Sequence, residues 1–134
     1  MKPVARNLIL FAQLALLAAC SGSTPVLEKP ELPQSVPPGW TRQSIVETPP
    51  PAGLPQTATA PQCRLAVYAG PGTAQVRLCG YGSDGQAFDA AQRFPTAANT
   101  VKFQVAKWFV LVNWDGASQA DATALVRAVQ RALK

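Results

Sequence analysis

Carboxylates and cysteines are the side chains that could carry acid–base, nucleophilic or metal chemistry in this chain, because it contains no histidine. Within residues 63–134 the carboxylates are Asp84, Asp89, Asp115 and Asp121. Asp84 and Asp89 could pair as general acid and base in a weak hydrolase. However, Asp84 and Asp115 each precede a glycine and suit turns, and Asp121 suits a helix N-terminus. We therefore expect no catalytic residue and no enzymatic activity.

The N-terminal residues have the pattern of a secretory signal. Lys2 and Arg6 precede an apolar run over residues 8–19, and no acidic residue occurs among them. A run of about a dozen apolar residues is too short to cross a bilayer as a stable helix, which needs about 20. An uncleaved membrane anchor and a soluble secreted chain are the alternatives to a cleaved signal.

Leu17-Ala18-Ala19-Cys20 closes the apolar run and resembles the lipobox of bacterial prolipoproteins, a resemblance that covers residues 1–20 only. It implies cleavage before Cys20, a diacylglyceryl group on the Cys20 thiol, and a mature chain that stays attached to the lipid bilayer. Ser21, rather than Asp, follows the cysteine. In Gram-negative lipoproteins this implies sorting to the outer membrane, and we expect the chain to face the periplasm there.

The remaining two cysteines, Cys63 and Cys79, form an even pair in what should be an oxidising compartment. We expect a disulfide, which would stabilise the fold by roughly 3 kcal/mol in the chain-entropy account. A redox-active pair is the alternative, but the spacing is not Cys-x-x-Cys. A Cys/His nucleophile and a Cys/His zinc site are excluded by the missing histidine. We expect neither a metal nor a cofactor.

The net charge of the chain is modestly positive. Lys2 and Arg6 would leave with the signal, which lowers the net charge from +5 to +3. Residues 63–134 contain eight basic and four acidic residues. Such a surface suits a loose attraction to anionic lipid or peptidoglycan, although it is more often only a soluble surface. Nucleic acid is not an expected partner outside the cytoplasm.

Proline content divides the chain into a signal (residues 1–19), a lipidated, disordered tether (residues 20–62) and a globular domain (residues 63–134). Ten of the 13 prolines lie between Pro25 and Pro61. Proline fixes φ and removes a hydrogen-bond donor, so a fully extended tether over residues 25–62 would reach roughly 120 Å. Residues 39–47, with Trp40, interrupt the pattern. This segment either docks on the domain as an edge strand or contacts a partner.

The domain should begin with a β-hairpin. Residues 63–69 and 75–79 alternate between apolar and polar side chains around the turn sequence Gly70-Pro71-Gly72-Thr73. A two-residue loop predicts that Leu65 and Val67 share a face with Val76 and Leu78. That register places the cysteines on opposite faces, so the disulfide requires a bulge or a Cys63 that precedes the strand.

The rest of the domain should complete an α+β fold. Residues 86–94 form a third strand or a short helical turn. Residues 101–105 and 108–112 form a hairpin that turns at Ala106-Lys107, or one long bulged strand. Ser118-x-x-Asp121 opens an amphipathic C-terminal helix. We expect an antiparallel sheet of three to five strands with this helix on one face.

Because the sequence offers no set of catalytic residues, it favours a function that depends on binding another protein. We expect a membrane-anchored envelope lipoprotein that acts as a non-enzymatic assembly, scaffolding or accessory factor for an envelope protein partner. The residues predicted to contact the partner are Trp40, Trp114, Arg127 and Arg131. The alternative is a periplasmic ligand-binding module for peptidoglycan fragments or a small solute, with aromatic residues lining its groove.

Overall fold

One antiparallel sheet of six strands organises the part of the chain that the structure, a computed structural model, describes: residues 30–55, 57 and 60–134. The strand order across the sheet is β1-β2-β3-β4-β6-β5. The strands are β1 (Ser35–Val36), β2 (Trp40–Thr48), β3 (Gln62–Ala69), β4 (Thr73–Gly80), β5 (Thr100–Val105) and β6 (Trp108–Asp115). The helices are α1 (Asp84–Arg93) and α2 (Gln119–Ala132). The fold is therefore α+β, but the prediction of three to five strands is wrong.

The additional strands come from residues that the proline pattern assigned to the tether. β2 pairs with β3 from Thr41 opposite Ala69 to Thr48 opposite Cys63, and β1 pairs with the start of β2. Prolines flank these strands and leave the intervening N–H groups free to pair, as expected for strands at a sheet edge. The domain boundary expected at residue 63 is corrected, because residues 35–48 belong to the sheet.

The β3–β4 hairpin has a different register from the one predicted. A three-residue loop over residues 70–72 places Cys63 opposite Cys79 and Leu65 opposite Arg77. The loop is tightly packed, since a Cβ atom on Gly72 would lie 2.3 Å from the carbonyl oxygen of Asp115. This register removes the conflict with the disulfide and sends Leu65 and Val67 to the face opposite Val76 and Leu78.

Helix α2 covers one face of the sheet, as the sequence predicted. The Ser118 hydroxyl caps it by accepting a hydrogen bond from the Asp121 N–H at 3.1 Å, and Leu125 and Val129 are fully buried beneath it. Residues 30–34 lie on the same face. This core contains Leu32, Val36, Trp40, Ala66, Tyr68, Ala74, Val76, Leu78, Val110, Val112, Trp114, Ala122, Leu125, Val126, Val129 and Leu133.

Helix α1 covers only part of the other face. It occupies residues that the sequence left open between a strand and a helical turn. The Ser83 hydroxyl accepts from the Gln86 N–H at 3.2 Å, and Gln86 Oε1 accepts from the Gly82 N–H. Its second core consists of Cys63, Cys79, Tyr81, Ala87, Ala90, Phe109 and Leu111. The predicted disulfide is present in this core, where Cys63 and Cys79 have Cα atoms 4.1 Å apart.

The β5–β6 hairpin confirms the tight turn at Ala106-Lys107. Val105 pairs directly with Trp108, so the loop has two residues, and Ala106 takes φ of 50°. β6 has five buried residues, as many as β4, and Phe109, Val110 and Val112 are fully enclosed. It lies between β4 and β5 and separates the two cores, since its successive side chains point to opposite faces.

Candidate functional site

The candidate binding surface is the part of the sheet that α1 leaves uncovered, here called the open face. Two neighbouring cross-strand rows form it. One row pairs Val46 with Leu65 and Leu65 with Arg77, and the other joins Ser44, Val67, Gln75 and Asn113 in the same way. The open face therefore consists of Ser44, Val46, Leu65, Val67, Gln75, Arg77 and Asn113.

Apolar side chains on the open face are accessible to solvent. Val46 is 52% exposed, and Leu65 and Val67 beside it are half-buried. Only one other large hydrophobic residue in the described ranges is comparably exposed, namely Phe88 on the outer side of α1. Because Val46, Leu65 and Val67 are adjacent on paired strands, they form a contiguous apolar patch, and such patches mark interaction sites more often than single exposed residues do.

Polar groups adjoin this apolar patch. Arg77 is half-buried and donates through Nη1 to Asn113 Oδ1 at 3.5 Å, a long hydrogen bond. Among the residues that the structure places, no carboxylate forms an ion pair with Arg77. A small cavity of about 230 Å³ lies at the end of the open face next to the β3–β4 loop, with Val67, Gln75 and Asn113 in its wall. The open face thus presents an unneutralised guanidinium next to apolar surface.

Lys102 lies in the same cross-strand row as Arg77, on β5, but it has a structural role. Its ammonium group donates to the main-chain carbonyl oxygens of Phe94 and Gln92 at the C-terminal end of α1. A cation at this position also interacts favourably with the helix dipole. Arg77 is therefore the cation on this face that remains available to a binding partner.

A second concave region lies where β4 passes into α1. It is a cleft of about 490 Å³ lined by Ala60, Pro61, Gln62, Gly80, Tyr81, Gly82, Ser83 and Gln86. These residues carry no formal charge. Tyr81 forms part of the cleft wall, but its phenol is buried, and the phenol oxygen has no hydrogen-bond partner among the described residues. Burial, together with the nearby Asp89 carboxylate, raises the pKa of Tyr81 above its usual value.

The structure separates the four residues predicted to contact a partner. Trp40 is 1% exposed and Trp114 7%, and both belong to the core beneath α2. Their side chains are thus enclosed by the fold, which corrects the expectation that they form a contact surface. Arg127 and Arg131 are exposed on α2, and neither forms an ion pair within the described ranges. Trp40 instead docks β2 on the domain, the other possibility that the sequence left open.

The aspartates proposed for a hydrolase do not converge. Asp84 and Asp89 lie on the same helix, five residues apart. At 3.6 residues per turn this spacing directs them to sides of α1 that differ by about 140°. Asp89 forms an ion pair with Arg93, N–O distance 2.9 Å, at the surface. The geometry supplies no shared site for acid–base chemistry.

Cys20 and Ser21, on which the predicted lipid attachment and sorting depend, lie outside the described residues. In the ranges that the structure covers, no helix is both long and apolar enough to span a bilayer. Nor do three or more potential metal-ligating His, Cys, Asp or Glu side chains cluster there.

Sequence reasoning missed the open face because it assigned Leu65 and Val67 to the main core. The signal that could have revealed it is the position of the cysteines. Requiring Cys63 to pair directly with Cys79 forces the three-residue loop and with it the correct faces. Comparison of the chain with protein-family models, with curated proteins and with solved structures finds no significant match.

Proposed function

We propose that this chain is a lipid-anchored envelope protein that acts without catalysis, as an assembly, scaffolding or accessory factor that binds another envelope protein through the open face. The observation that carries the proposal is the 52% exposure of Val46 in a contiguous patch with half-buried Leu65 and Val67. Burying such a patch against a partner would contribute favourable free energy of association.

The chemistry of the open face indicates what the partner presents. Arg77 stands beside the apolar patch without a neutralising carboxylate among the described residues, so a complementary surface combines apolar side chains with an acidic one. A carboxylate can accept two parallel hydrogen bonds from a guanidinium, which fixes orientation as well as affinity. Arginine next to apolar contacts is also a common source of binding energy in protein interfaces.

The anchor in this proposal is the lipidated Cys20. The sequence Leu17-Ala18-Ala19-Cys20 supports it, and Ser21 supports an outer-membrane location facing the periplasm. A two-chain lipid anchor makes residence at the membrane stable. The partner is then expected among proteins of the same membrane or of the adjoining periplasm.

Site-specific photocrosslinking in intact cells tests the proposal. A photoreactive residue is introduced at Val46 in one strain and at Phe88 in another, because both side chains are more than half exposed but only Val46 is on the open face. We expect a discrete protein adduct from Val46 and none from Phe88. Equal labelling at both positions, or no adduct from Val46, would refute the proposed surface.

Charge substitution gives a second test of the same surface. Arg77→Gln removes the guanidinium of the open face, and Arg93→Gln removes one that is bound to Asp89 on α1. Both changes lower the net charge by one. We expect Arg77→Gln to reduce the yield of the Val46 adduct and Arg93→Gln to leave it unchanged. The opposite ranking would place the interface elsewhere.

A ligand-binding module for a peptidoglycan fragment or a small solute is the second candidate. The observation that favours it is the 490 Å³ cleft beside α1, whose volume lies within the usual range for small-molecule sites. The exposed amide of Gln62 offers an uncharged hydrogen-bonding group suited to amides or sugars. A rise in the melting temperature with muropeptides that disappears in Gln62→Ala would support this candidate, and a melting temperature of the wild type that muropeptides leave unchanged would remove it.

A further inference from the structure

The domain is held much closer to residue 20 than the proline pattern predicts. Main-chain carbonyls of residues 30–33 accept hydrogen bonds from the sheet: Pro30 from Arg64 Nη2 at 2.8 Å and Pro33 from the Tyr68 hydroxyl at 2.5 Å. Nine residues therefore separate Cys20 from the docked segment. Fully extended, this stretch reaches at most about 35 Å, compared with roughly 120 Å for a tether that ran to residue 62.

Pro30, the first residue that the structure describes, lies on the side of the domain that carries α2. Residues 30–34 pack on the same face of the sheet as this helix, and Leu32 belongs to its core. Arg64, which holds Pro30, is close to the start of β3. Pro30 therefore lies near the end of the sheet where β2 ends and β3 begins, and the open face is on the opposite side of the sheet.

Helix α2 begins at the opposite end of the sheet from Pro30. It starts after β6 ends, near Trp40 at the beginning of β2, because the Trp40 indole donates to the Asp121 carbonyl. The side chains buried on its face of the sheet extend along β4 from Ala74 to Leu78. The helix buries Leu125, Val129 and Leu133 in this core, so it extends across the sheet away from that starting point.

A basic ridge lies on the second half of α2 and at Lys134, just beyond the end of the helix. Arg127, Arg131 and Lys134 recur at helical spacing and are exposed, and in the described part of the chain none of them forms an ion pair. Asp121, the one carboxylate within α2, lies in the first turn, about 9 Å along the axis from Arg127. Two exposed acids, Glu31 and Glu47, also lie on this side of the domain, with Glu47 opposite Arg64 in the β2–β3 pairing.

We infer that the α2 side of the domain rests on an anionic phospholipid surface, with Arg127, Arg131 and Lys134 near the headgroups and the open face directed away from the bilayer. Nine residues between Cys20 and Pro30 keep the domain within about 35 Å of the bilayer, and the charge of the ridge, which forms no ion pair within the described residues, complements anionic lipid and favours this side. This orientation rests on the proposed lipid anchor. It also accounts for how the open face remains free for a protein partner.

Vesicle binding without any anchor tests the charge complementarity independently of lipidation. The chain from Ser21 onward is mixed with vesicles containing 30% phosphatidylglycerol and sedimented. Arg127→Gln with Arg131→Gln should weaken binding about 30-fold, since each cation near an anionic surface contributes about fivefold. Thr96→Glu with Ala97→Glu, on an exposed loop outside α2, changes the net charge equally and should have little effect. Equal losses from both pairs would overturn the inference.

Orientation is measured on tethered protein. The same chain with a hexahistidine tag in place of residues 1–20 is attached to vesicles that contain nickel-chelating lipid and 30% phosphatidylglycerol. Energy transfer to a labelled lipid should be stronger from a fluorophore at Gln130 than from one at Ser44 on the open face. This difference should vanish in the Arg127→Gln, Arg131→Gln variant and at high salt. Equal transfer from both positions would overturn the orientation, and neither result depends on whether Cys20 is acylated.

Discussion

The indole Nε1 of Trp40 donates a hydrogen bond to the main-chain carbonyl oxygen of Asp121 at 2.9 Å. This bond joins the beginning of β2 to the first turn of α2, and the ring around it is 1% exposed. Trp40, for which the sequence left docking on the domain and contact with a partner both open, is thus a central contact of the core.

Two substitutions that shorten the Trp40 side chain should destabilise the domain to different extents. Trp40→Phe removes the hydrogen bond and part of the ring, and should lower the free energy of unfolding by about 1–2 kcal/mol. Trp40→Ala should lower it by about 3–5 kcal/mol through the cavity it leaves. Urea denaturation measures both values, with exposed Thr41→Ala as the control. A loss below about 1 kcal/mol for Trp40→Ala would contradict the buried position.

The two buried tyrosines should respond differently to loss of the hydroxyl. Tyr68 donates to the Pro33 carbonyl, so Tyr68→Phe leaves that acceptor unpaired and should lower the free energy of unfolding by about 1–3 kcal/mol. The hydroxyl of Tyr81 has no described partner, so Tyr81→Phe should be neutral or slightly stabilising. Denaturation of both variants under the same conditions checks the ranking, and a larger loss for Tyr81→Phe would reverse it.

Tyr68 should also make stability depend on alkaline pH. Burial raises the pKa of Tyr68 to about 12, although the Arg42 charge acts in the opposite direction. A raised pKa means that the folded state disfavours the phenolate, so stability is intact below pH 10 and is lost between about pH 10 and 12. We expect a loss of at most about 3 kcal/mol over this range.

The contribution of Tyr68 is isolated by comparing denaturation curves at about pH 9 and pH 11 for the wild type and Tyr68→Phe. The variant should lose less stability between the two values, because it has one phenol fewer to ionise. Tyr81, whose pKa is also raised by burial, remains in both proteins. An identical pH dependence would exclude Tyr68 as a source.

Removing the disulfide should cost about 3 kcal/mol of the free energy of unfolding, given the 16-residue separation of its cysteines. The double change Cys63→Ala, Cys79→Ala tests this by urea denaturation. In the folded wild type the two cysteines are 2% and 0% exposed, so a thiol reductant without denaturant should leave the bond intact. Alkylation followed by mass measurement detects free thiols, and rapid labelling of the folded protein would contradict the buried position.

Local signals were sufficient for the C-terminal half of the domain. The hydrophobic spacing of α2, its Ser118 cap and the tight turn at Ala106-Lys107 each depend on residues close in sequence, so they could be predicted without knowing the sheet. The Ser83-x-x-Gln86 cap of α1 is a signal of the same kind. This cap favours a helix rather than a strand for residues 86–94.

Non-local pairing explains what the sequence did not reveal. Strand β2 is stabilised by β3 and by the Trp40 contact with α2, neither of which leaves a trace in the prolines around it. The open face depends on a loop that is one residue longer than predicted, and a change of one residue moves Leu65 and Val67 to the other side of the sheet. Val46 is exposed because α1 does not extend over it. Helical periodicity in the sequence does not show how much of the sheet a helix covers.

The Trp40–Asp121 contact spans 81 residues of sequence, and the core around it contains side chains from Leu32 to Leu133. Folding slows as the contacts that define a structure become more distant in sequence. The main core of this domain cannot form until α2, the last helix in the chain, is available. A chain from which α2 is still missing therefore cannot complete the fold. Under the proposed export of this chain, this order of events would keep the segment in transit unfolded and leave folding to the far side of the membrane.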